Sequence, residues 1–169
     1  MSRRSRTLAM TIGAVAILAG TIVVQPSPIC IWNSSASVPV GLYRVRAVSS
    51  RYITELVAVQ PSEPLASYLR LNGYLPIGVP MLKRVLALPE QTVCRSGSTI
   101  TVDGVAMGNA LERDRRGRAL PVWEGCRVIG EGELFLMNWQ SANSLDGRYF
   151  GMMPATAVIG RALPIWTYG

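Results

Sequence analysis

The chain has 169 residues, enough for one ordinary domain or a core with a smaller insertion. It contains no histidine, which excludes Ser-His-Asp and Cys-His catalysis and HExxH zinc sites. Its formal net charge is +7, and the only lysine among its seventeen basic residues is Lys83.

The chain opens on a basic tip carrying Arg3, Arg4 and Arg6, followed by an uncharged run from Thr7 to Val24. At ~1.5 Å rise per residue, a helix of that length spans about 27 Å, close to the hydrocarbon core of a bilayer. The run predicts one transmembrane anchor, in contact with membrane lipid through residues 7–24. It divides the chain into an anchor unit at 1–25 and a body at 26–169. Excess arginine before the run keeps the N-terminus in the cytoplasm and sends the body across. A cleaved secretory signal is the rival reading. The length of the run favours an anchor, as does the lack of an A-x-A site after it; Ala14-Val15-Ala16 fits that pattern but falls mid-run.

Beyond the anchor the signals are mostly those of strands. Residues 41–48 alternate apolar and charged side chains, which predicts a strand with one buried face. Leu56–Val59 is a short buried strand ending before Pro61. A short helix over 65–70 follows, with Ser62 as its N-cap and Asn72-Gly73 as its stop. Residues 81–88 are apolar apart from Lys83 and Arg84 and read as a strand carrying the lysine. Residues 99–106 form a hairpin about Asp103-Gly104. Residues 108–121 are polar and loop-like, and 133–137 and 157–164 are the last two strands. The fold class expected is mainly β: an anchored β domain with a hairpin-bearing insertion at about 91–127.

The cysteines are Cys30, Cys94 and Cys126. In an exported body they meet an oxidising compartment. Cys94 and Cys126 bracket one segment and are paired here as a disulfide. Closing a loop of about 33 residues stabilises a fold by about 4 kcal/mol on the chain-entropy account. Cys30 is left over. Three scattered cysteines without histidine do not make a metal site, and no cofactor is expected. The basic run Arg113-Asp114-Arg115-Arg116-Gly117-Arg118 has no interleaved aromatics. It reads as a solvated loop, and no nucleic-acid partner is expected.

Three segments could carry chemistry. Residues 33–43, Asn-Ser-Ser-Ala-Ser-Val-Pro-Val-Gly-Leu-Tyr, place Ser35 and Ser37 about ten residues beyond the membrane, in a stretch too patterned for a plain linker. Lys83 lies in an apolar strand, where burial can lower its pKa and make it a base. In Asn143-Ser144-Leu145-Asp146-Gly147-Arg148-Tyr149-Phe150-Gly151 the serine, aspartate and arginine recur at i, i+2 and i+4, so an extended chain points all three one way.

In order and spacing these segments resemble the serine-lysine signal peptidases, and most closely the TraF-type conjugative transfer branch. The S-x-P-x-G-L-Y motif of that branch is matched by Ser37–Tyr43, its L-K-R-V block by Leu82–Val85, and its S-x-D-S-R-Y-F-G motif by Ser144–Gly151. The resemblance covers the whole chain. It implies a signal-peptidase-like β domain with Ser37 as nucleophile and Lys83 as general base. Ser144 would orient the amine, Asp146 and Arg148 would brace the site, and Asp146 would act directly in this branch. Ser35 matches the position that supplies an oxyanion-hole hydroxyl. Two departures stand out. Gly147 replaces the usual serine, an exchange expected to loosen its turn. Asn138-Trp139-Gln140 replaces the Gly-Asp-Asn-like run of leader peptidases.

The expectation is a serine endopeptidase of the bacterial inner membrane, single-pass, with its catalytic domain in the periplasm. Its partner would be an exported protein precursor, such as a conjugative pilin, processed by cleavage or cyclisation. The rivals are a general leader peptidase, an inactive anchored β scaffold of a secretion complex, and a Lex-type self-cleaving repressor. The last needs a DNA-binding helical domain where this chain has its apolar run.

Overall fold

The computed structural model describes residues 3–24, 28–48 and 50–168, with side chains over the same ranges except 21–24. Helix α1 (Arg3–Val24) covers the expected anchor, and its described apolar side chains, among them Leu8, Ile12 and Leu18, are exposed. Among the described residues no helix is long and apolar enough to cross a membrane. Arg3, Arg4 and Arg6 lie on α1, and the expected span ends on 21–24, whose side chains lie outside the description.

The body is mainly β, as the patterning predicts. Its strands are β1 (Cys30–Asn33), β2 (Val40–Arg46), β3 (Leu56–Val59), β4 (Met81–Ala87), β5 (Thr92–Ser96), β6 (Thr99–Val102), β7 (Val105–Asn109), β8 (Gly125–Val128), β9 (Glu133–Leu136), β10 (Met153–Pro154) and β11 (Val158–Tyr168). Helix α2 (Leu65–Leu71) lies between β3 and β4, and the helical turn α3 (Gly147–Phe150) between β9 and β10.

Seven strands form an antiparallel sheet in the order β1-β2-β11-β3-β4-β9-β10. The other four form a second antiparallel sheet, β7-β6-β5-β8, lying in sequence between the neighbouring strands β4 and β9. Asp103 and Gly104 both take positive φ, 49° and 80°, as a two-residue hairpin turn between β6 and β7 requires. Cys94 and Cys126 face each other across β5 and β8 and form a disulfide.

Val57, Val59, Leu69, Val85 and Leu136 pack α2 onto one face of the large sheet, while Tyr43, Ala58, Leu82 and Ala162 fill the other. Val93, Ile100, Ile129, Phe135 and Met137 join the two sheets. The predicted strands fall within a residue or two of their expected ends, apart from β7, which runs on to Asn109 into the expected loop, and β11, which runs on to Tyr168.

Two local expectations are corrected. Pro64, not Ser62, occupies the cap position of α2 and makes no side-chain cap bond; the Glu63 carboxylate accepts from the Ser67 N–H at 3.3 Å, and Ser62 contributes its backbone carbonyl to Ala66. The 144–148 segment is not extended throughout: Asp146 is, but Gly147 and Arg148 begin α3. Asp146 caps α3 by accepting from the Arg148 N–H, because a short acceptor side chain can satisfy an N–H that has no partner within the helix.

Candidate active site

Lys83 sits mid-strand on β4, sharing a face with Met81 and Val85 because side chains alternate along a strand. It is 5% exposed. Its amine donates to Ser144 Oγ at 3.0 Å. Burial pushes the amine down to about 8; the Asp146 carboxylate pulls it back up and the Arg148 guanidinium pushes it further down. An amine in that range is substantially neutral at mildly alkaline pH and can accept a proton.

Ser37 lies in the turn after β1, a turn organised by Asn33. The Asn33 Nδ2 faces three carbonyls, those of Ser35, Val38 and Pro39, at 2.8, 3.1 and 3.0 Å. Three acceptors around one amide fix which way it points. Its Oδ1 accepts from the Ser35 N–H and from Ser35 Oγ, at 3.2 and 3.0 Å. Ser35 Oγ lies 2.9 Å from Ser37 Oγ. A hydroxyl has one proton, and Ser35 gives its own to Asn33, so Ser37 is the donor of this last bond. In this arrangement the Ser37 proton is held by Ser35 and the Lys83 amine is held by Ser144.

Ser144, Asp146 and Arg148 are all buried although the segment is not extended throughout. Arg148 Nε and Nη2 grip the Asp146 carboxylate at 2.9 and 3.0 Å in a two-pronged pair. The same Nη2 donates to the carbonyls of Ser141 and Ser144 at 2.7 and 3.2 Å. Arg148 therefore holds the Ser144 backbone, and the Ser144 hydroxyl receives the amine. Asp146 spends its second oxygen on the Asn138 N–H at 3.0 Å, so its contacts are bracing ones.

Four further residues complete the arrangement, and sequence reasoning assigned none of them a role. Asn33 was visible only as the first letter of a serine-rich stretch. Asn138 accepts from the Arg84 N–H at 2.9 Å and donates to the Leu82 carbonyl at 3.1 Å, clamping β4 on both sides of Lys83. Its place in Asn-Trp-Gln looked only like a departure from a motif. Arg95 donates to the Arg148 carbonyl at 2.6 Å, and Trp123 Nε1 to the Gly147 carbonyl at 3.0 Å, which ties the second sheet to α3. An arginine at a buried phase of β5 was the available signal for Arg95.

Gly147 does not loosen its turn. A Cβ there would lie 2.7 Å from the Phe135 ring and 2.8 Å from the Leu136 carbonyl, so the glycine admits close packing of α3 on β9.

Ser35, Ser37, Lys83 and Ser144 line one cleft of about 820 Å³. A hydroxyl and a buried amine on one cleft, with second hydroxyls beside each, are the groups an acyl-transfer site of the serine-lysine kind requires.

The chain belongs to the signal peptidase family: residues 2–167 match the family described as signal peptidase, peptidase S26. Within it the chain is similar to proteins of conjugation. It is 36% identical over 149 residues to a conjugal transfer protein TraF of Agrobacterium fabrum, covering 80% of this chain and 81% of that one. It is 27% identical over 175 residues to a plasmid transfer protein TraF of Escherichia coli, covering 98% and 97%. A solved signal peptidase I from Enterococcus faecalis covers 68% of this chain and 98% of its own, with 18% identity and a TM-score of 0.41.

Proposed function

We propose that the chain is a membrane-anchored serine endopeptidase that processes an exported precursor, a conjugative pilin or another transfer component, with Ser37 as nucleophile and Lys83 as general base. The observation that carries this reading is the buried Lys83 amine, lowered to about 8, opening onto the same cleft as the Ser37 hydroxyl. Neutral Lys83 takes the Ser37 proton as Oγ attacks the scissile carbonyl. The Ser37 N–H and the Ser35 hydroxyl hold the oxyanion, for which Ser35 turns its proton away from Asn33. The lysine ammonium then protonates the departing amine. Water, or an amine of the substrate itself, releases the acyl group from Ser37, giving a linear or a cyclic product.

Ser144 keeps the amine in place, and Asp146 and Arg148 position Ser144 and α3. Leu8, Ile12, Val15 and Ile17 of α1 are exposed beyond its arginines, which supports an anchor, since apolar side chains in a row are stable when covered by protein or lipid. The disulfide supports an oxidising, extracytoplasmic location for the body.

Mass spectrometry of a co-expressed pilin precursor tests the reading. Wild type should yield a shortened product, with linear and cyclic forms differing by one water. Ser37→Ala and Lys83→Arg should leave the precursor intact, because guanidinium does not deprotonate at accessible pH. Near-normal processing by either variant refutes the dyad.

A further inference from the structure

The basic run 113–118 is a solvated loop, and it is held in place. Asp114 fastens it to the end of α2, accepting from Tyr74 Oη at 2.6 Å and from the Arg116 and Arg118 N–H groups at 2.8 and 2.9 Å. Arg118 pairs with the same carboxylate at 2.6 Å, stacks 4.3 Å over the Tyr74 ring and donates to the Asn72 carbonyl. Arg113 donates to the Gly117 carbonyl at 2.8 Å and bridges to Ala119. Arg113 and Arg118 are thus occupied in holding the loop.

Arg115 and Arg116 are not. Both are exposed, both line the cleft that holds Ser37 and Lys83, and among the described residues neither guanidinium forms an ion pair. Asp114 is the one carboxylate among the described cleft residues, and Arg118 and Tyr74 already saturate it. With Lys83 neutral, the cleft has two uncompensated positive charges, both on one fixed rim.

We propose that Arg115 and Arg116 form a substrate subsite that binds a carboxylate of the precursor, so that the enzyme selects peptides with an acidic group near the scissile bond. The proposal rests on the peptidase reading for what occupies the cleft. Guanidinium forks match carboxylates in two-pronged geometry, and a loop already held in place spares the backbone part of the ordering cost. Anionic lipid headgroups could also meet a basic rim. The shared cleft with Ser37 and Lys83 favours the peptide.

The test uses the full chain in a zwitterionic detergent and twelve-residue fluorescent peptides built on a precursor segment. Each position in turn carries Asp, Asn or Lys. Binding is read by anisotropy with Ser37→Ala, and cleavage is read in parallel with the wild-type serine. At one or two positions Asp peptides should bind about tenfold more tightly than Asn peptides, a gap of 1.4 kcal/mol, and the gap should shrink with salt. The double variant Arg115→Ala/Arg116→Ala should close the gap, Arg115→Lys/Arg116→Lys should keep part of it, and Arg115→Glu/Arg116→Glu should favour Lys peptides.

Equal binding of Asp and Asn peptides at every position overturns the subsite. So does a gap that survives the alanine pair, or an effect of that pair that arises only with anionic vesicles, which marks a lipid site. An acid preference in binding without cleavage leaves the subsite standing and removes the peptidase reading. Cleavage without acid preference does the reverse.

Discussion

At the scale of single residues, the proposed mechanism makes Lys83 set both rate and stability. Only its neutral form can take the Ser37 proton, so kcat/KM should rise about tenfold per pH unit below its pKa and level off above about 8. A pH-rate profile flat from 5 to 9 removes Lys83 from the mechanism. The folded amine titrates near 8 and the free side chain near 10.5. The cost of burying the charged form is therefore present in full below pH 8 and disappears between 8 and 10.5, so this residue's share of stability rises with pH across that window. Lys83→Met should abolish processing yet raise stability at pH 7 by about 1–3 kcal/mol, read as a higher urea midpoint. Asn138→Ala should lower stability. It strands the Arg84 N–H and the Leu82 carbonyl, at about 1–3 kcal/mol for each buried group, and releases the strand that carries the base. A urea midpoint unchanged by Asn138→Ala shows that the clamp contributes nothing. Ser37, Lys83 and Ser144 stand out in the sequence by motif and spacing, and the structure brings them to one cleft. Asn33 and Asn138 do not stand out, because their roles consist of hydrogen bonds to backbone groups, which leave no pattern in side-chain type.

At the scale of elements, periodicity located the strands with an apolar signature and missed those without one. β1 escaped because four residues are too few to establish alternation, and β8 because all four of its residues are exposed. α3 escaped because one helical turn has no period. Its tight seat on β9 leads to a prediction at Gly147. Gly147→Ser restores the residue usual in the related motif, yet it should destabilise this chain by about 1–3 kcal/mol, because the Phe135 ring and the Leu136 carbonyl leave no room for a Cβ. A thermal midpoint at or above wild type shows that β9 yields to the added atom. The disulfide acts at the same scale. Cys94→Ala/Cys126→Ala should cost about 4 kcal/mol on the chain-entropy account, with hydrogen exchange speeding up first in β5 and β8.

At the scale of the whole molecule, the proposed topology makes an immediate claim. A periplasm-active reporter fused after Gly169 should function, and protein purified from membranes should retain residues 1–24; an N-terminus starting between 19 and 30 identifies a cleaved signal instead. The order of the elements has a further consequence, for how the enzyme comes into being. Lys83 precedes the second sheet in sequence, while Asn138, Ser144, Asp146 and Arg148 follow it, so the lysine meets these neighbours only when β9 returns to β4 across roughly 45 intervening residues, at an entropic cost that grows with the length of the loop. Oxidation of Cys94 and Cys126 shortens that closure. On the proposed mechanism and topology, a chain still unfolded and reduced would therefore lack a competent base, and proteolytic power would arise late, after export and oxidation, sparing the cell a premature protease. Refolding under oxidising conditions should restore native tryptophan fluorescence and peptidase activity together, and faster than in the presence of a thiol reductant.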